Sequence, residues 1–247
     1  MLMAGICRRY SFLLKYAVLA AFQMVFLRLL KCLYPEENYL QLIQMEFTGS
    51  DPLNHVYFFS VGVLLIFFSM EIYILFQSIQ EVFIRYCYLY SRISGNKRKK
   101  LAVFVLKRIV ISALLCTSIH LCSGFFLLCL ENGKCVLSAA KLNTVVFLLY
   151  LEGLHLLTLL MWGCFIVIMN TVKVRRQYIW MTGCLVLCIV PVVQNRFITA
   201  LFLPFDQNVL WYQQWQLKCL LVIITSFLQY YLLAADFYCP FGNNRRE

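Results

Sequence analysis

Long apolar runs alternate with short polar segments along this chain, and nearly every second polar segment is basic. A helix needs about 20 apolar residues to cross the hydrocarbon of a bilayer. Six runs meet that need: residues 10–33, 56–80, 109–130, 142–172, 177–203 and 217–235. The first is interrupted by Lys15, Arg28 and Lys31, whose long side chains can reach the interface from near a span end. The second carries Glu71, the third is uncharged, and the fourth is overlong and carries Glu152 and His155. The fifth carries Pro191 and Arg196, and the sixth begins at Lys218 and closes near Asp236. The pattern predicts an all-α polytopic membrane bundle of six transmembrane helices, forming one domain over residues 1–247.

The polar segments sort by sign. Arg8 and Arg9, then Arg85, Arg92 and the tetrad Lys97–Lys100 with Lys107 and Arg108, then Lys173, Arg175 and Arg176, and finally Arg245 and Arg246 fall on one side of a six-span chain. The opposite segments hold Glu36, Glu37, Glu46 and Asp51, then Glu131, Lys134 and Lys141, then Asp206, and are acidic or mixed. Basic residues collect on the untranslocated side, so both termini are expected in the cytoplasm. Residues 35–54 read as an outer loop with an interfacial helix. Residues 204–215 read as another, with Trp211, Tyr212 and Trp215 suited to the aromatic belt.

Composition agrees with this reading. The chain has 247 residues, of which 62% are hydrophobic and 13% charged. A soluble domain carries about 45–50% apolar and about 25% charged residues. The net charge of +11 sits in short segments at span ends rather than on one water-facing surface, which argues against nucleic acid as a partner. Anionic inner-leaflet lipids are the expected partners of those segments. Of the twelve cysteines, Cys116, Cys122, Cys164, Cys184 and Cys188 lie inside apolar runs, where Cys behaves as a small hydrophobe. There is no CxxC pair and no N-x-S/T sequon. The first apolar run carries charges and no small-residue cleavage site follows it, so it reads as a retained span.

Candidate chemistry is confined to polar residues inside spans. An intramembrane carboxylate is costly and is a functional-site hypothesis by default, which singles out Glu71. Glu152 and His155 are three apart and share a helix face, where they can relay protons, contact a polar group of a solute, or hydrogen-bond to each other structurally. His120 is a core histidine or a ligand contact. Arg196 follows Pro191, which opens a helix near midplane, and can attract an anion or reach toward the outer surface. The Glu-x-x-His spacing also occurs in bundle di-metal sites, but that reading needs further carboxylates on other helices and only Glu71 is available. No metal site and no cofactor are therefore expected. His55 lies in a loop, and three histidines give poor support to haem. The motifs of a nucleophile elbow, a zinc-protease helix and a Walker loop are all missing, and no enzyme activity is expected.

A basic tract leads into Leu106-Lys107-Arg108-Ile109 and a span, and a short loop precedes Leu142-Asn143-Thr144. Then come Leu156-Leu157-Thr158-Leu159-Leu160-Met161-Trp162, Arg175-Arg176, a span with Pro191 and Gln194, and a last span with Gln229, Tyr230 and Tyr231. Over about residues 101–239 this order resembles the organic solute transporter alpha-subunit family and its orphan transmembrane relatives, and Glu71-Ile72-Tyr73-Ile74 is similar to a Glu-x-Tyr stretch there. The family has seven spans, so this chain would lack one at its N-terminus. Its Cys-rich cytoplasmic cluster is absent here, with Cys87 alone nearby, and Thr182-Gly183 replaces a polar residue of the fifth span. The resemblance implies facilitated movement of steroid-like or other amphipathic organic anions, with a single-span partner subunit.

Together these readings lead to a transporter-like multi-pass protein of the plasma membrane, rather than of the endoplasmic reticulum. It would bind or move an amphipathic organic solute through contacts at Glu71, His120, Glu152, His155 and Arg196, with a single-span partner or as a homo-oligomer. A chemosensory or other multi-span receptor, a lipid-acting enzyme using His120 or His155 as base, and an assembly or trafficking factor without a ligand are the alternatives.

Overall fold

The computed structural model describes residues 2–36, 38–39, 41–43, 68–82, 95–132, 139–171 and 211–234. Helix α1 spans Leu2–Leu33, α2 covers residues 68–82, α3 spans Gly95–Asn132, α4 spans Ala139–Thr171 and α5 spans Trp211–Ala234. No strand occurs among the described residues. Four stretches are long and apolar enough to cross a membrane: Leu14–Leu33, Lys99–Leu130, Val145–Asn170 and Tyr212–Ala234. These correspond to the first, third, fourth and sixth expected spans. The fifth span, residues 56–67 of the second, and His55 lie outside the described residues.

Helix ends differ from the expected boundaries for local reasons. Helix α1 starts at Leu2, ahead of residue 10, but ends at Leu33 as expected, where Pro35 follows and cannot continue it. Just beyond, Asn38 and Gln41 form a reciprocal cap: the Asn38 amide donates to Gln41 Oε1 at 3.0 Å, and the Gln41 amide donates to Asn38 Oδ1 at 2.9 Å. The helical turn so started buries Leu42 and Ile43 against the bundle, where an interfacial helix was expected. Helix α3 starts at Gly95, well before Ile109, so the basic tetrad forms its first turns instead of a loop. Helix α5 starts at Trp211, not Leu217, and takes in residues expected to belong to an outer loop. Lys218 thereby moves from a span boundary to two turns inside a helix.

Polar contacts set the helix directions. Ser78 on α2 meets Ser112 on α3 at 2.7 Å, while Glu71, two turns earlier, meets His120, two turns later, so α2 and α3 are antiparallel. Lys218 of α5 meets Thr158 of α4, and Ser226 of α5 meets Cys164 of α4, so α4 and α5 run the same way. Gln229 of α5 donates to the Ala102 carbonyl of α3. Helix α4 packs against both α3 and α5, and α3 also packs against α1 and α5.

The core is split in two. One apolar cluster gathers Tyr16 and Leu19 of α1, Ile72 to Val82 of α2, Leu101 to Cys116 of α3, Leu159 to Val167 of α4 and Leu233 of α5. The other gathers Phe26, Leu27 and Leu30 of α1, Leu42 and Ile43, Leu127 and Leu128 of α3, and Leu148, Leu151 and Leu154 of α4. On three helices the buried residues between the two are mostly polar: Gln23 on α1, Thr117, His120 and Ser123 on α3, and His155 and Thr158 on α4, with Glu71 of α2 and Glu152 of α4 adjoining them from the edges of the two clusters. A polar layer thus crosses the middle of the bundle between two apolar cores.

Candidate functional site

That layer brings together four of the five residues singled out from sequence. Glu71 on α2, His120 on α3, and Glu152 and His155 on α4 are all buried, at 1%, 2%, 5% and 1% exposure. The Glu71 carboxylate offers one oxygen to each imidazole. Its Oε2 accepts from His155 Nε2 at 2.8 Å, and its Oε1 lies 3.1 Å from His120 Nε2. The other nitrogen of His155, Nδ1, lies 3.5 Å from Glu152 Oε2, one turn earlier on α4. The two imidazole rings meet edge to face, with centroids 4.8 Å apart. Phe68, one turn before Glu71, stands beside His155 and meets Trp162 edge to face at 6.4 Å between centroids, which closes the site with aromatic surface on that side.

Sequence reasoning missed Gln23. Its amide nitrogen lies 2.8 Å from His120 Nδ1 in a fully buried contact between α1 and α3. With the amide nitrogen donating, Nδ1 accepts and the ring proton sits on Nε2, facing Glu71; with the amide turned by a half-turn, its oxygen accepts from Nδ1–H and Nε2 carries a lone pair instead. Gln23 therefore sets which side of the His120 ring addresses the carboxylate. The signal was present in sequence: Gln23 is the lone polar residue in the uncharged centre of the first span, residues 16–27. Spans that long rarely carry an amide without a partner, because hydrocarbon leaves it nothing else to bond.

A second polar contact lies one turn further along α4. Lys218 is 1% exposed, and its Nζ donates to Thr158 Oγ1 at 2.7 Å. The threonine hydroxyl in turn donates to the Leu154 carbonyl at 2.9 Å. Gln214, one turn before Lys218, is also fully buried. Gln214, Lys218, Thr225 and Gln229 recur at spacings of four, seven and four, so they occupy one face of α5, the face turned toward the bundle. This periodicity was legible in sequence but was masked by reading Lys218 as a boundary.

Two of the three charged residues in the first span, Lys15 and Arg28, reach toward its outside. Lys15 is 3.8 Å from Glu81 of α2 and partly exposed. Arg28 is exposed. Arg196 lies outside the described residues.

The chemistry of the layer follows from its surroundings. Apolar clusters on both sides exclude water, so each polar atom depends on the others. The Glu71 carboxylate faces two imidazoles from separate helices, and the His155 imidazole stands between two carboxylates, hydrogen-bonded to Glu71 and 3.5 Å from Glu152. Such a set can pass a proton from Glu71 to Glu152 through His155, or close around a positively charged guest. No protein-family model, curated protein or solved structure matches this chain.

Proposed function

We propose that this chain is a transporter-like, multi-pass membrane protein that binds or facilitates movement of an amphipathic organic solute, with the Glu71–His120–Glu152–His155 layer as its polar contact point. The observation that carries this reading is the burial of four titratable side chains from three helices at the middle of the bundle. Ionisable groups at that depth are costly and are concentrated on substrate paths and proton relays. Topology alone calls for none of them, because the basic segments at the helix ends already orient the chain.

The six-span arrangement with a cytoplasmic C-terminus belongs to the same proposal. It requires the fourth and sixth spans to run in one direction, and α4 and α5 do. It also requires the first and third spans to run together. Gln23 meeting His120 while Leu30 joins Leu127 in one cluster is the pairing two such helices make. Arg196 remains an anion contact suggested by sequence, and a single-span partner remains the expected assembly. The solute is not chemically transformed, so its own gradient drives movement, and the plasma membrane is the expected site.

The test is uptake of a labelled steroid sulfate by cells expressing the chain, with and without a single-span beta partner, against mock-transfected cells and with surface expression checked. Saturable uptake is expected, falling to the mock level in Glu71→Gln and His155→Gln at equal surface expression. An absence of uptake at full surface expression would sink the steroid-anion form of the reading.

A further inference from the structure

Three helices contribute one ligand-type side chain each to a single point: Glu71 from α2, His120 from α3 and His155 from α4, with their donor atoms all within 4.8 Å of one another. We infer that these three residues form a binding site for a divalent transition-metal ion of zinc type. This goes beyond the solute reading and stands whether or not a solute moves.

Three observations carry it. The first is the donor set. Two imidazole nitrogens and a carboxylate make a three-ligand zinc set that leaves a further position open, and imidazole selects for zinc and its neighbours over calcium or magnesium. Ligand atoms around a tetrahedral ion bound at about 2.0–2.2 Å lie about 3.3 Å apart. The two Glu71 oxygens stand 2.8 and 3.1 Å from the two Nε2 atoms, one each, and the three donor atoms lie within 4.8 Å of one another, so the side chains need only draw together to share one ion.

The second is the outer shell. A metal-bound histidine normally anchors its other nitrogen on a carboxylate or carbonyl, which orients the ring. His155 turns Nε2 toward Glu71 and Nδ1 toward Glu152 Oε2. His120 turns Nε2 toward Glu71 and Nδ1 toward the Gln23 amide, whose oxygen can take the place of its nitrogen by a half-turn of the amide. Both rings are thus aimed inward by partners on their outer side.

The third is polar satisfaction. Glu71 Oε1 and both oxygens of Glu152 are buried, and among the described residues none of the three has an aligned hydrogen bond. Buried carboxylates are paired or coordinate metals. Two carboxylates and one divalent ion sum to zero charge with both imidazoles neutral. A di-metal site needs more carboxylates than this chain places in its spans, which is why the Glu-x-x-His spacing alone predicts no metal. A single-ion site needs only one, and the missing nitrogen ligand comes from α3, which sequence spacing cannot connect to α4.

The test uses the full chain, free of any histidine tag, purified in detergent and dialysed against zinc and then against zinc-free buffer. One retained zinc per chain is expected, with an X-ray absorption spectrum showing nitrogen and oxygen neighbours, imidazole scattering and no sulfur. Glu71→Gln and His155→Gln should each abolish retention. Glu152→Gln, which alters only the outer shell, should weaken affinity about 10–100-fold. Phe227→Ala on the exposed face of α5 should retain the ion. Where a ligand variant fails to fold, the wild-type spectrum decides alone. A sulfur shell would move the ion to cysteines such as Cys116, one turn before His120, and would overturn the inference. So would a folded chain that keeps no zinc. Neither readout depends on uptake, so the two proposals fail separately.

Discussion

Helices α4 and α5 are nearly equal in hydropathy and run in the same direction side by side, yet their surroundings are opposite. In the membrane-length stretch of α4, 67% of residues are buried, against 17% in α5. Helix α4 is buried on most sides because it is the hub of the bundle, touching α2 through Glu71, α3 through the second apolar cluster and α5 through Thr158. Helix α5 is apolar because it faces outward: Leu220, Ile223, Ile224, Phe227 and Tyr231 are exposed. Apolar faces of that extent have no aqueous solution and suit lipid. Hydropathy therefore identifies a span without saying what the span faces. The polar residues tell the two apart. On α4 they meet partners from α2 and α5, whereas on α5 the buried ones, Gln214, Lys218 and Gln229, form one inward stripe.

The contrast breaks most visibly at His155. Replacing it by Leu removes the imidazole between Glu71 and Glu152 and leaves two buried carboxylates facing each other across an apolar gap. Removing one partner of a buried ionic contact costs about 3–5 kcal/mol. His155→Leu should accordingly lower the thermal unfolding midpoint in detergent more than any single change on α5. An unchanged midpoint would mean that the layer contributes nothing to the hub.

A smaller effect is expected where the two helices touch. A Cβ added at Gly153 of α4 would lie 2.6 and 2.8 Å from ring carbons of Trp215 on α5, and a packed indole cannot yield as a flexible chain would. Gly153→Ala should destabilise by about 1–3 kcal/mol, the usual range for overpacking. Coupling this change with Trp215→Leu, which makes room, should recover most of the loss. Additive losses in the double variant would place the strain elsewhere.

The smallest effect belongs to the outer face of α5. Phe227 is 72% exposed, so Phe227→Ala should shift stability by under about 0.5 kcal/mol. A large loss there would show that another surface covers this face.

Much of the architecture was legible before any coordinates. Runs of apolar length identify α1, α3, α4 and α5 because a bilayer crossing demands length and apolarity from each segment independently. Glu71, Glu152 and His155 stood out for the same reason: a titratable residue within such a run is conspicuous on its own. Helix ends were less legible. The basic tetrad and the Trp211–Gln216 segment looked like loops because their composition suits an interface, whereas both continue as helix. Backbone hydrogen bonds extend past the hydrocarbon at no cost where side chains reach water, so polarity does not mark the helix end.

The meeting of side chains was decided by tertiary structure alone. Sequence determined that a carboxylate, two histidines and an amide lie inside separate apolar runs. It also placed Glu152 and His155 on one face, because their spacing is local. Whether Glu71 reaches His120 or His155, and whether Gln23 orients a ring on another helix, depends on how the helices rotate and slide against one another. That register is fixed by packing of the two apolar clusters, in which many small contacts act together. The polar groups meet where the two clusters adjoin because the packing of those clusters sets the rotation and height of every helix that carries one.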